Sequence, residues 1–164
     1  MKIFYLLLLL SLTIQLSAQE NYIQILGSTN VNNFKCVNNT FKTSEGLFSG
    51  KQLQNIALKV VDFDCKNKIM TSDFQKTLSA KEYPYLSVRF ISINSNNGIY
   101  QTQVEVKMME KSKTYNIIFS LENGKLIGKR NVKFSDFDIV PPKKMGGMIV
   151  VKDELNLIFA LAAK

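Results

Sequence analysis

From residue 99 onward the apolar positions recur every second residue. Tyr100, Thr102, Val104, Val106 and Met108 fall on one side of an extended chain, and Gln101, Gln103, Glu105 and Lys107 on the other. That alternation predicts a strand with one face in a core and one in water. The turn-like Glu110-Lys111-Ser112-Lys113 leads to a second strand with Tyr115, Ile117, Phe119 and Leu121 in phase, and Glu122-Asn123-Gly124-Lys125 predicts a tight hairpin. A third strand runs from Leu126 to Ser135, where Leu126, Gly128, Arg130, Val132 and Phe134 share a face and Arg130 is its one charge. After breaks at Pro141-Pro142 and Gly146-Gly147, Ile149, Val151, Leu155, Leu157, Phe159 and Leu161 give a long closing strand with Asp153 on its apolar side.

The first half carries the same strand signal in shorter pieces: Tyr22 to Leu26, Thr29 to Val37, Thr40 to Thr43 and Leu53 to Phe63, separated by Gly27, Gly46 and Gly50. One stretch departs from period two. Between Thr71 and Ala80, Phe74 and Leu78 stand four apart on one helical face, with Thr71 or Ser72 placed to cap. Pro84 is incompatible with helical geometry at Tyr83, so the helix is expected to stop there, and Leu86, Val88 and Phe90 resume the alternation. About eight antiparallel strands joined by hairpins, with one short helix, predict an all-β, up-and-down barrel, because closure removes exposed strand edges. A β-sandwich is the alternative.

Length and leader refine this picture. Ile3 to Leu10 is an unbroken apolar run behind Lys2, and Leu16-Ser17-Ala18 suits cleavage, so residues 1–18 read as a signal peptide and 19–164 as one domain, exported to the periplasm or secreted. The run is shorter than the roughly 20 residues of a bilayer-spanning helix. Losing Lys2 leaves 20 basic against 13 acidic residues, a balance that favours anionic partners. The lysines are spread along the chain without an arginine cluster, which argues for a solvated surface over nucleic-acid binding. Transient contact with an anionic membrane surface fits the charge. Cys36 and Cys65, an even pair in an exported chain, are expected to form a disulfide rather than a metal site.

Candidate chemistry is sparse. The chain has no histidine, which removes the Ser-His-Asp triad, the Cys-His dyad and the usual zinc sites together. Asp62-Phe63-Asp64 and Asp136-Phe137-Asp138 each set two carboxylates on one face of an extended chain and could serve calcium binding or acid and base roles. No calcium-loop glycine accompanies them, and aspartates flanking an aromatic near a strand end more often mark a turn. Asn38-Asn39-Thr40 matches a glycosylation acceptor by a pattern short enough to arise by chance. No catalytic group, metal or cofactor is expected.

The residues LSAKEYPYLSVRF, with Gly27-Ser28-Thr29-Asn30-Val31, Met70-Thr71-Ser72-Asp73-Phe74 and the closing VKDELNLIFALAAK, resemble the YceI-like family of exported lipid-binding proteins across essentially all of the mature chain. The resemblance implies a lipocalin-like barrel enclosing a long apolar chain such as a polyisoprenoid, with the helix and the Tyr83-Pro84 turn beside it. The apolar faces then nominate Phe90, Val104, Val106, Phe119, Leu126, Val132, Leu157 and Phe159 as ligand lining, against ordinary core packing, with Arg130 as headgroup partner or paired structural charge. The expected partner is a long-chain isoprenoid or fatty-acyl lipid. Two other classes compete: an eight-stranded outer-membrane barrel and a hydrolase using Asp62, Asp64, Asp136 or Asp138.

Overall fold

The structure, a computed structural model, describes residues 20–43, 48 and 54–163. The predicted leader and its cleavage site lie outside the described residues. Among the described residues nine strands and one α-helix follow in the order β1 (Tyr22–Thr29), β2 (Asn33–Asn38), β3 (Asn55–Lys59), α1 (Lys68–Thr77), β4 (Tyr85–Asn96), β5 (Ile99–Met108), β6 (Lys111–Glu122), β7 (Lys125–Lys133), β8 (Lys143–Lys144) and β9 (Ile149–Ala162). They form one antiparallel sheet in the order β2-β1-β9-β7-β6-β5-β4-β3, with β8 pairing only β9. The sheet curls so that a single face encloses the core, as in a lipocalin-like barrel.

The period-two pattern decides which residues face in. Register aligns Val88 with Val106, Phe90 with Val104, Thr102 with Ile117 and Tyr100 with Phe119, and all but Tyr100 are buried. The row continues from Phe119 through Gly128 and Phe159 to Ile23. Gly128 is required there: a Cβ on it would sit 2.5 Å from the Phe119 ring. The hairpins at Asn97-Gly98 and Asn123-Gly124 place both central residues at positive φ, 49° and 77° in each case, the backbone that lets a two-residue turn follow the strand twist.

The two free edges, β2 and β3, are drawn together at one corner. Val37 and Asp64 exchange backbone hydrogen bonds of 2.9 Å in both directions, the Asn38 amide donates to the Lys59 carbonyl at 3.1 Å, and Cys36 is disulfide-bonded to Cys65. Asn38 is fully buried in this seam, so the glycosylation-like triplet has no accessible acceptor.

Several boundaries differ from the sequence expectation. Residues 41–43 form no strand, and Thr29 to Val37 is broken by a turn in which Thr29 Oγ1 accepts from the Asn32 backbone N–H at 2.9 Å. The strand expected over Leu53 to Phe63 is regular only over Asn55–Lys59 before a 3-10 turn at Val60–Asp62. The turn expected at Glu110 to Lys113 tightens to Met109 and Glu110. The helix begins three residues earlier than expected because Asn67 caps it, its Oδ1 accepting from the Ile69 and Met70 N–H groups at 2.9 and 3.1 Å. Thr71, expected to cap, instead accepts from the Cys65 N–H at 3.0 Å. The helix also ends well before Pro84, where Ser79 turns left-handed at φ 48°; the Pro84 carbonyl accepts from Val60 N–H at 2.9 Å.

Candidate functional site

Helix α1 does not seal against the sheet. Between it, the start of β2 and the segment from Pro142 to Val151 lies a cavity of about 490 Å3, walled by Phe34, Met70, Phe74, Phe134, Met145, Ile149 and Val151. Thr29, Asn32, Asn67 and Thr77, with the charged Asp73 and Lys144, supply its few polar groups. Lys144 Nζ reaches Asp73 at 2.7 Å on the same wall, tying α1 to β8. Size and an apolar lining with a few fixed polar groups are the features of a small-molecule site.

The second opening arises from strand geometry. β6 and β7 pair only over four residues each, from Phe119↔Gly128 to Glu122↔Lys125, and then part, while β7 stays paired with β9 along its length. The gap is a cavity of about 910 Å3 bordered by Lys113, Tyr115, Arg130, Lys133, Asp136 and Asn156 among others. Asp136 ties its two sides together. It accepts from Lys113 Nζ, from the Tyr115 hydroxyl at 2.8 Å and from the Lys133 backbone N–H at 3.0 Å. Partial burial works against the Asp136 charge, but these hydrogen bonds outweigh it and hold the carboxyl below its ordinary range. Burial first, and then the Asp136 carboxylate, push the Tyr115 hydroxyl far above its usual range, so Tyr115 is a fixed neutral donor.

The nominated residues fall into two groups. Phe90, Val104, Val106, Phe119, Leu126, Leu157 and Phe159 are buried in the core and border neither cavity. The rings of Phe90, Phe119 and Phe159 stack in sequence with centroids 5.8 to 5.9 Å apart, and Phe48 packs on Phe90 and Phe119 at 5.6 and 5.2 Å. Val132 and Arg130 border the gap between β6 and β7. Arg130 has an inward position opposite Leu157 yet is exposed, because the strand that would cover it has turned away. Its guanidinium lies 5.5 Å from the Tyr115 ring centroid and donates to the Asn116 carbonyl at 3.4 Å.

Phe34, Met70, Phe134 and Met145, on the apolar cavity wall, were not nominated. Met70 was within reach: it precedes Phe74 and Leu78 by four and eight residues, on the same helical face. The carboxylates of the competing hydrolase reading each have a structural partner. Asp62 accepts from Thr40 Oγ1 at 2.9 Å, Asp64 from the Lys66 N–H at 2.7 Å, and Asp138 pairs with Lys111 at 2.9 Å. None borders the apolar cavity, and no three His, Cys, Asp or Glu among the described residues could hold a metal ion.

Three solved structures share the architecture. Burkholderia cenocepacia BcnA superposes with a TM-score of 0.68 at 16% identity, covering 88% of this chain and 96% of its own. The Campylobacter jejuni YceI protein matches at a TM-score of 0.57 and 14% identity over 83% of each chain. The chain has a YceI-like fold. A polyisoprenoid binding domain from Saccharophagus degradans matches at 0.60 and 7% identity, over 88% of this chain and 93% of the other. No family model matches the sequence, and neither does any curated protein. In this YceI-like barrel the outward row of β5 is Gln101, Gln103, Glu105 and Lys107, where a membrane-spanning barrel needs an apolar band about 25 Å tall.

Proposed function

We propose that this protein is an exported, non-catalytic binder of a long apolar chain of the isoprenoid or fatty-acyl type. The observation that carries the proposal is the apolar cavity under α1, walled by five aromatic or methionine side chains from α1, β2 and the chain after β7. Each ligand methylene buried there contributes about 0.8 kcal/mol, so ten of them supply roughly 8 kcal/mol before association costs; no charged anchor is needed. The disulfide suits an oxidising compartment, in keeping with export of residues 19–164 after a leader at 1–18. The Saccharophagus degradans neighbour is described as polyisoprenoid-binding, which supports the choice of ligand class. On this reading Phe90, Val104, Val106, Phe119, Leu126, Leu157 and Phe159 are packed core outside the cavity lining, while Val132 and Arg130 stand at the side opening, where Arg130 is placed to meet a polar end.

Native mass spectrometry of the protein purified from its own host, followed by solvent extraction, tests this directly. A bound species of lipid mass that leaves on extraction and returns on adding a long-chain isoprenoid or fatty acid is expected. A protein that arrives empty and takes up neither would overturn it.

A further inference from the structure

The lysines look dispersed along the sequence, but the fold gathers six of them. Three segments frame the mouth of the apolar cavity: 29–35, 65–70 and 140–152. They contain Lys35, Lys66, Lys68, Lys143, Lys144 and Lys152, against one aspartate in the cavity lining, Asp73, which pairs with Lys144, and two that flank the segments, Asp64 and Asp153. The segments are joined to one another. Asn30 Nδ2 donates to the Met148 carbonyl and the Val150 N–H donates to Asn30 Oδ1, each at 2.9 Å, while the Lys144–Asp73 pair fastens the third segment to α1.

The same frame exposes large apolar side chains. Val31, Ile69, Met145 and Met148 are 64%, 74%, 66% and 66% exposed, and Ile69 and Met145 are also part of the cavity wall. Single exposed apolar residues are ordinary on a protein surface; a group of them beside one opening, on segments that also carry lysines, is the composition of a membrane-facing patch.

We propose that this mouth is a docking surface for an anionic lipid bilayer, a proposal that rests on the cavity being the lipid site. The cations draw the face to acidic headgroups, the valine, isoleucine and methionine tips enter the interface, and the cavity opens towards the hydrocarbon, so that a ligand passes between bilayer and protein without crossing water. A second copy of the chain is a poor occupant, since a two-fold contact through this face would set each cluster of lysines against its twin.

Cosedimentation of the purified protein with vesicles of phosphatidylcholine containing phosphatidylglycerol, and with vesicles of phosphatidylcholine alone, provides the test. Binding to the mixed vesicles only, weakening with added salt, is expected. K68Q/K143Q should weaken partitioning roughly 25-fold, about fivefold per lysine near an anionic surface. K107Q/K129Q, which removes the same charge from the outward faces of β5 and β7, should change it less than about twofold. I69S/M148S should lower binding while leaving sensitivity to salt. Equal losses for the two lysine pairs, or no binding to mixed vesicles, would refute the docking face, as would a concentration-dependent dimer abolished by I69S/M148S. Native mass spectrometry on the same preparation separates the layers: a lipid-loaded protein that ignores vesicles sinks the docking face alone, whereas an empty one that takes up no lipid sinks the cavity reading beneath it.

Discussion

Replacing both cysteines of the seam, C36A/C65A, should cost stability in an amount the topology fixes. The bridge closes a loop with a sequence separation of 29, and the chain-entropy relation for a loop of that size gives about 3.6 kcal/mol at 25 °C through the unfolded state. For a domain of this length each kcal/mol corresponds to roughly 3 °C, so the melting temperature should fall by about 10 °C. Both sulfur-bearing residues are buried, so alanine leaves no unsatisfied polar atom and the comparison isolates the cross-link plus a small packing loss. Urea titration of the wild type, the reduced wild type and C36A/C65A gives the free energies. Hydrogen exchange adds location: the N–H groups of Val37 and Asp64, which bond only across this seam, should lose protection more than those of Val104 or Ile117 in the central ladder. A loss under about 1 kcal/mol, or an unchanged Val37 and Asp64, would show that the corner holds without its bridge and that the reasoning is wrong.

Three further outcomes are expected. Narrowing the apolar cavity with I149W should abolish lipid uptake in the native mass-spectrometric assay while shifting the melting temperature only slightly, because Ile149 is only partly buried; retention of the full lipid complement would remove the cavity from consideration. G128V drives two methyl groups into the Phe119 ring, already 2.5 Å from where a Cβ would be, and should destabilise by about 1–3 kcal/mol or more in urea titration. Asp136 has a folded-state pKa below its unfolded one, so its contribution is fully present above about pH 4 and is lost as the pH falls through the lowered value. D136N should flatten that acid limb of the stability profile, and an unchanged limb would assign it to other carboxylates.

The second half of the barrel was legible because its strands are long and one-sided. From Tyr100 to Leu161 the alternation persists through four strands and two hairpins, and the inward rows are those the period demands. The first half was less legible because short strands there end in side-chain-driven turns: Thr29 folds back on Asn32, and Asn67 rather than Thr71 starts the helix. Asp153 and Arg130, two charges on apolar faces, have different explanations. Asp153 accepts from the Ser135 N–H and hydroxyl at 2.8 and 2.6 Å, a local contact between segments far apart in sequence. Arg130 is wet because β6 leaves β7, and no pattern within either strand announces that parting. The cavity wall was hard to read for a related reason: it is assembled from β2, α1, the chain after β7 and β9, segments far apart in sequence, so no one of them carries its whole signature.

The parting of β6 from β7 divides the barrel into two leaves, β3 to β6 and β7 with β9, β1 and β2, bound along a spine of only four residue pairs near the Asn123-Gly124 hairpin. Swinging those leaves apart breaks the Asp136 clasp and leaves every long ladder intact, whereas the opposite margin is stitched covalently by Cys36 and Cys65. The molecule is therefore built like a book with a sewn fore-edge, in which few backbone hydrogen bonds join the two leaves along the spine.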